Sequence, residues 1–190
     1  DAGEPDGVKS PEFLKTVERI REWLTADENP DLNVGRTDAF GDFIKRMHMA
    51  MHNDEPDYFR IPESRMDVMD YLEIFSGEDE DSDGRIDDFE PFVDPLFQKN
   101  NVLVRLVREP DSDIGLGTTQ IKYIINRVEK YLEKNLPAPY TYAITGYPII
   151  NVKLAHYVVT GQLQNLFLSL VLVLFVIIVL FRRIAAGPLA

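Results

Sequence analysis

The sequence predicts an α+β domain followed by one transmembrane helix. The domain is predicted by helical patterns of apolar residues along the chain and by two stretches with strand character, 101–108 and 140–145. The helix is predicted by residues 163–181, which are almost entirely apolar, and no charged residue lies between Lys153 and Arg182. At ~1.5 Å of rise per residue this stretch reaches about 28 Å, close to the ~30 Å hydrocarbon thickness of a bilayer. A buried core helix is the alternative, but such a helix usually keeps a polar stripe.

The N-terminal half is predicted to be mainly helical. Its elements are a loop at 1–9, helices at 10–26, 37–52 and 64–75, and a short strand at 32–36. Ser10 suits the N-cap of the first helix and Pro11 suits its first helical position. Ser64 opens a capping-box pattern at the third helix. The predicted apolar stripes are Phe13, Val17, Ile20 and Leu24 in the first helix, and Phe40, Phe43, Ile44, Met47 and Met51 in the second.

The C-terminal half contains a predicted β-α-β unit. Strand 101–108 is β-branched, helix 118–136 is strongly amphipathic, and residues 140–145 alternate in the manner of a strand. The helical connection allows the two strands to be parallel neighbours. A strand preceding residue 1 would complete a second β-α-β unit in the N-terminal half. Pro148 is expected to start a last helix that continues unbroken into the apolar stretch.

The charge balance excludes several classes of function. The chain has 20 Lys and Arg residues against 32 Asp and Glu residues, a formal net charge of −12. Such a chain repels nucleic acid and anionic lipid headgroups, so we expect no nucleic-acid partner and no peripheral membrane binding. The absence of cysteine excludes a disulfide framework and thiolate chemistry. No nucleophile with a base and no phosphate-binding glycine loop occurs, so we expect no enzyme activity.

Two arginines predict the orientation of the membrane helix. Arg182 and Arg183 follow the apolar stretch directly, and the positive-inside rule therefore places them in the cytoplasm. We accordingly predict an extracytoplasmic domain at 1–157, a transmembrane helix with its arginine pair at 158–183, and the start of a cytoplasmic or membrane segment at 184–190. Since an outside domain requires an earlier export signal and none is visible, the sequence is expected to be an excerpt of a longer polytopic protein.

An acidic stretch matches the pattern of a calcium-binding loop. Residues 79–90 carry Asp or Glu at each position where the twelve-residue EF-hand pattern requires a carboxylate, and Gly84 lies at the invariant turn position. The candidate Ca²⁺ ligands are Asp79, Asp81, Asp83, Arg85 through its carbonyl, Asp87 and Glu90. Ser76-Gly77 before the loop and Pro91 after it oppose the flanking helices of an EF-hand. A solvated acidic loop is therefore the alternative interpretation, and no other cofactor is predicted.

Two histidines, His48 and His52, lie four residues apart on the second predicted helix, a spacing that can hold a metal ion. No third ligand follows at helical spacing, and Met47 and Met51 beside them are explained by core packing. His156 has no evident partner and is interpreted as structural.

The order of the short motifs resembles one family of membrane exporters. Thr145-Gly146-Tyr147-Pro148 forms a turn after the domain, Gly161-Gln162 precedes the span, and Phe181-Arg182 closes it. Lys-Ser-Pro-Glu-Phe-Leu at 9–14, Ile61-Pro62 and Phe92-Val93-Asp94 lie upstream. Together they resemble the resistance-nodulation-division (RND) superfamily, in the branch of the MMPL-type lipid exporters and the hydrophobe/amphiphile efflux proteins. The resemblance covers nearly the whole chain.

The resemblance implies a fold, partners and a function. The fold would be a porter-like split β-α-β periplasmic domain, in the first or, more favoured, the second periplasmic loop, followed by one transmembrane helix. The full protein would be a proton-driven transporter in the inner membrane that exports hydrophobic or amphiphilic molecules, including lipids. Its partners would be the lipid bilayer, the remaining transmembrane helices, the other periplasmic loop and a hydrophobic substrate. A membrane-tethered extracytoplasmic calcium-binding or sensor module is the alternative function.

Overall fold

A computed structural model describes residues 1–75, 88–107 and 116–185 of the chain, and it leaves the side chains of 155, 156 and 182–185 undescribed. The described helices are α1 (Pro11–Thr25), α2 (Gly41–Ala50), α3 (Arg65–Ile74), α4 (Thr118–Asn135) and α5 (Tyr147–Ala185), and the strands are β1 (Val34–Asp38) and β2 (Leu103–Leu106). Short 3₁₀ turns lie at Gly7–Lys9, Pro30–Leu32 and Pro56–Tyr58. This mixture of helices with a small sheet confirms the predicted α+β class.

The contacts divide the chain into two units. The first unit, here called the folded domain, comprises residues 1–117 and 123–143; the second comprises 118–122 and 144–190 and contains α5. The folded domain holds both apolar core clusters. The predicted boundary between an outside domain and a membrane helix at residue 157 stays a prediction, because α5 passes through this residue without a break.

The two strands form an antiparallel pair with one irregularity. Thr37 lies opposite Val104 and Asp38 opposite Leu103, and the register shifts between Val34 and Arg36. A Cβ atom at Gly35 would lie only 2.3 Å from a methyl carbon of Val107, so a larger residue there would displace that side chain. The register shift therefore lies beside a glycine, whose missing side chain allows the two strands to approach closely.

The predicted strand at 140–145 was wrong for the described structure, and β2 pairs with β1 rather than with a parallel neighbour. Thr141 exchanges two backbone hydrogen bonds with Asp1: the Asp1 amino group donates to the Thr141 carbonyl at 2.8 Å, and the Thr141 N–H donates to the Asp1 carbonyl at 3.2 Å. One such pair is too short for a ladder. The alternating pattern is present, but pairing at a single residue does not make a strand.

The larger core cluster lies between α1, α2, α3 and the chain that follows residue 88. Phe40 is fully buried at its centre and contacts Phe89 edge to face, with 5.3 Å between ring centroids. The cluster also contains Val8, Phe13, Leu14, Val17, Ile44, Ile61, Val68, Tyr71 and Val93. The aromatic contacts explain how a segment without regular structure at 89–97 is held against three helices.

The smaller core cluster joins the C-terminal part of α1 to the sheet and to α4. Leu24, Leu32 and Ile124 are its buried members. Trp23 of α1 stacks on Tyr131 of α4, with 3.8 Å between ring centroids. The Arg127 guanidinium binds the Asp31 carboxylate and donates to the Asn29 side-chain oxygen at 2.7 Å. These contacts hold residues 123–135 of α4 to the domain.

A buried arginine connects α1, β1 and α2. Arg21 lies on the apolar face of α1 and is 8% exposed. Its guanidinium donates to both carboxylate oxygens of Asp42, at 2.8 and 2.9 Å, and to the backbone carbonyl of Thr37 at 2.8 Å. Glu18 accepts a further hydrogen bond, and the Lys45 ammonium lies 3.0 Å from Asp42. We call these five residues the Arg21 network.

The Arg21 network lowers the pKa of Asp42. Burial alone raises the pKa of this carboxyl, but hydrogen bonds from Arg21, Lys45 and the Ala39 N–H outweigh burial and hold the pKa below its usual range. Asp42 is therefore ionised at neutral pH, as a bidentate partner of arginine must be.

We predict that Arg21→Ala destabilises the folded domain by about 3 kcal/mol, because two carboxylates lose their main cationic partner in a poorly solvated site. Urea unfolding followed by the fluorescence of Trp23, the only tryptophan, measures the change. Arg36→Ala is the matched control, since Arg36 also pairs with an acid, Asp38, but its side chain is 64% exposed. Equal effects of the two substitutions would contradict a structural role of the Arg21 network.

Candidate functional site

The membrane-length helix is the clearest functional feature in the described part of the chain. Within the residues that the structure describes, one stretch, Tyr147–Phe181, is long and apolar enough to cross a membrane, judged by length and composition. Its 35 residues correspond to about 52 Å at ~1.5 Å per residue, so the helix exceeds the thickness of a bilayer core. The expected unbroken helix after Pro148 is confirmed, and it begins at Tyr147.

The side chains of the apolar stretch 163–181 are exposed within the chain. Every large apolar residue from Leu163 to Phe181 is at least 44% exposed. A core helix would be buried, so this chain does not use 163–181 as a core element. Ser169, the one polar residue between 166 and 181, donates its hydroxyl hydrogen bond to the Leu166 carbonyl at 2.8 Å. The helix itself therefore satisfies its only polar side chain there, as a lipid environment requires.

The predicted calcium loop lies mostly outside the described residues. Asp79, Asp81, Asp83, Arg85 and Asp87 belong to the undescribed segment 76–87, whereas Glu90 is described and exposed. Residues 88–92 form turns rather than the exiting helix of an EF-hand, which agrees with the position of Pro91. Across the described ranges no group of three metal-ligating side chains comes together.

The two predicted histidines lie in an aromatic cluster. The Nδ1 atom of His48 lies 2.8 Å from the Tyr71 hydroxyl, and the Nδ1 atom of His52 lies 2.8 Å from the His48 carbonyl oxygen. The His52 ring stacks on Tyr58 with 3.9 Å between centroids. Each histidine thus has a hydrogen-bond partner at Nδ1 and packs against neighbouring rings. This arrangement differs from that of two imidazoles that coordinate one metal ion. The cluster connects α2 to α3 and to the turn at Pro56–Tyr58.

The environment of His48 lowers its pKa. Burial is the main cause, and the nearby His52 and Arg60 act in the same direction, while Asp67 opposes them. Burial also raises the pKa of Tyr71, with Asp67 and Asp70 adding to the effect. At neutral pH the His48–Tyr71 pair is therefore a neutral imidazole hydrogen-bonded to a neutral phenol.

The predicted apolar stripe of the second helix is confirmed except at its last residue, since Phe40 and Ile44 are buried and Phe43 and Met47 pack against the larger core cluster. Met51 was predicted to pack in the core, but it follows the end of the helix and is 52% exposed. The buried residues of α2 are Gly41, Ile44 and His48, which share a helical face. The spacing of three and four residues between them indicates a shared buried face. Because histidine is polar, the sequence pattern did not identify His48 as part of that face.

The chain matches no protein-family model, no curated protein and no solved structure.

We predict that Leu172→Asp disrupts membrane insertion of α5. A carboxylate at the centre of a transmembrane helix costs about 3 kcal/mol of insertion free energy, whereas Leu172→Ile is close to neutral and serves as the matched control. Alkaline extraction of membranes containing each variant measures the integrated fraction. Retention of the aspartate variant at the level of the isoleucine variant would show that this helix is not held by lipid.

We predict that the stability of the folded domain decreases as the pH falls below about 6.5, the pKa of an unperturbed histidine. Because the pKa of His48 is lowered by folding, the unfolded chain takes up this proton first. The stabilisation that neutral His48 contributes is complete above the pKa of this histidine in the unfolded chain, and it is lost as the pH falls through its lower pKa in the folded domain. His48→Gln removes this titration and should flatten the pH dependence of the urea midpoint, measured by Trp23 fluorescence. An unchanged pH dependence would exclude His48 as its origin.

Proposed function

We propose that this chain is part of a proton-driven membrane exporter of the RND type, which moves hydrophobic or amphiphilic molecules, including lipids. The observation that carries the proposal is the arrangement of an acidic α+β domain followed directly by a membrane-length helix that ends in an arginine pair. In this function the domain forms part of a periplasmic substrate path, and α5 connects it to a bundle of further helices.

The packing of the folded domain supports a split β-α-β fold of the porter type. Val34 of β1 and Leu106 of β2 are register partners, and both pack against the cluster that contains Leu24 of α1 and Ile124 of α4. Directly opposed residues share one face of a sheet, so both helices contact the same face. Helices on one face of an antiparallel sheet are what the split β-α-β arrangement requires.

The pairing of Asp1 with Thr141 supports the same fold. The two residues exchange backbone hydrogen bonds in the pattern of an antiparallel pair. The segments around residues 1 and 141 are therefore adjacent, as strands of a split β-α-β domain would be.

The proposal assigns transport chemistry to other parts of the protein. No Asp, Glu, Lys, Arg or His lies between residues 163 and 181, so this stretch contains no side chain that could carry a proton. Proton coupling would belong to ionisable residues in neighbouring helices of the inner membrane. The role of α5 would be mechanical connection, with lipid, further helices and a second periplasmic loop as its partners.

We predict that the folded domain lies outside the inner membrane and that residues after Arg183 lie in the cytoplasm. The chain has no cysteine, so single cysteines report accessibility without background. In intact spheroplasts, a membrane-impermeant maleimide should label Glu22→Cys, at an exposed position of α1, and should label Ala185→Cys only after lysis. The opposite labelling would exclude the proposed function, because a cytoplasmic domain cannot form a periplasmic substrate path.

A further inference from the structure

The chain that follows α2 folds back onto the end of this helix. Residues 53–60, here called the 53–60 segment, contain the 3₁₀ turn Pro56–Tyr58. Tyr58 is the one partly buried residue of the segment, and the other seven are exposed. Its ring stacks on His52 with 3.9 Å between centroids, and it meets the His48 ring edge to face at 5.5 Å. The attachment of the segment to α2 therefore depends mainly on one tyrosine ring.

The 53–60 segment begins with a strained turn. Asn53 and Asp54 both have positive φ angles, 57° and 59°. Left-handed backbone is unfavourable for residues with a side chain, although Asn and Asp tolerate it best. Two such residues in succession persist only where surrounding contacts hold them. The Asp54 N–H donates to the Met49 carbonyl of α2 at 3.0 Å, and Tyr58 packs on the helix beyond it. The turn therefore favours release of the segment whenever the Tyr58 contacts weaken.

A buried histidine lies beneath the Tyr58 ring. His48 is 6% exposed, and its Nδ1 atom lies 2.8 Å from the Tyr71 hydroxyl of α3. The His52 ring, one helical turn further along α2, lies 4.6 Å away between centroids. Arg60, at the end of the segment, has its guanidinium carbon 5.9 Å from the centroid of the Tyr58 ring. The segment thus carries a cation on the far side of the ring that covers His48.

The surroundings of His48 disfavour a second positive charge. Burial is the main cause of its lowered pKa, His52 and Arg60 act in the same direction, and Asp67 opposes them. Asp67 belongs to α3, which the His48–Tyr71 hydrogen bond joins to α2, whereas Arg60 belongs to the 53–60 segment. Movement of the segment away from α2 removes one cation from His48 and admits water. Both changes favour the protonated imidazole.

We propose that the 53–60 segment is a pH-sensitive element, which leaves the end of α2 when His48 takes up a proton. The proton puts a charge close to Arg60, and release of the segment relieves this repulsion. The His48 Nδ1 atom then donates to the Tyr71 oxygen, so α3 stays in place. Because the released state binds the proton more tightly, protonation favours release by linkage. This inference concerns the domain alone and does not rest on the proposed transport function.

Spin labelling tests this release, and the absence of cysteine from the chain makes the labelling specific. A nitroxide on Asp57→Cys, in the exposed turn, reports motion of the segment, and one on Glu22→Cys, at an exposed position of α1, reports the rest of the domain. Electron paramagnetic resonance spectra are recorded for the full chain in zwitterionic lipid nanodiscs. We expect the mobile fraction at residue 57 to grow by up to about tenfold per pH unit below about pH 6.5. The spectrum at residue 22 should stay unchanged.

Two variants of the labelled chain identify the groups responsible. His48→Gln keeps a polar side chain that cannot take up the proton, so the label at residue 57 should stay immobile at every pH. Arg60→Gln removes the repelling cation and should reduce the mobile fraction at acidic pH about threefold, since an exposed charge has a modest effect. Arg36→Gln, at an exposed arginine of β1, is the matched control and should leave the response unchanged. The urea midpoint shows whether each variant is folded.

Several results would overturn the inference. Constant mobility at residue 57 across the pH range would show that the segment does not move. Simultaneous mobility at residues 22 and 57 would show unfolding of the whole domain in place of a local release. A response that persists in the folded His48→Gln variant would belong to another group, such as His52. If that variant does not fold, equal responses of the Arg60 and Arg36 variants would exclude the proposed repulsion. The maleimide test of membrane orientation is independent of these results, so failure of either proposal can be recognised separately.

Discussion

The bidentate pairing of Arg21 with Asp42 is the constraint on which the folded domain depends. A guanidinium that is 8% exposed must have its donors satisfied, and its partners belong to three successive elements: Glu18 on α1, Thr37 on β1 and Asp42 on α2. The planar donor group fixes direction as well as distance, so α2 can meet α1 only in a narrow range of orientations. Hydrophobic contacts alone would define this angle less sharply, because they are not directional.

The orientation of α2 determines how α3 is positioned in the folded domain. With Asp42 turned toward α1, the opposite end of the helix presents His48 to Tyr71 of α3. That hydrogen bond joins one side of α3 to the core, and the other side carries Met66 and Met69 at the surface. A chain of contacts therefore leads from a buried arginine to the exposed side of α3.

The regular elements could be predicted from the sequence because their signals are local. The helical spacing of Phe13 and Val17 and the cap at Ser64 predict α1 and α3 to within a residue or two of Pro11–Thr25 and Arg65–Ile74. The Ser64 hydroxyl does accept a hydrogen bond from the Met66 N–H, at 3.1 Å. The signal for the helix containing residues 163–181 is equally local, since the length and apolar character of this stretch are sufficient to predict it.

The remaining features depend on contacts between distant residues. Arg21 and His48 lie on apolar helix faces, where a polar residue interrupts the apolar pattern. Their burial can be explained only when their partners, 21 and 23 residues further along the chain, are known. A strand forms only where a second segment provides backbone hydrogen bonds. The alternating apolar pattern at 140–145 could therefore not determine whether these residues join a sheet. The larger core cluster joins three segments separated in sequence, at Phe40, Val68 and Phe89, and no local pattern predicts their proximity.

The central claim is that a folded domain is attached to a helix that crosses the membrane. Hydrogen–deuterium exchange of the full chain in lipid nanodiscs tests it most directly, because lipid excludes the water that exchange requires. We expect the backbone amides of 163–181 to remain protected for hours, while those of 147–157 in the same helix exchange sooner. Equally fast exchange along all of Tyr147–Ala185 would contradict the account. It would show that lipid does not protect the backbone amides of the apolar part of this helix.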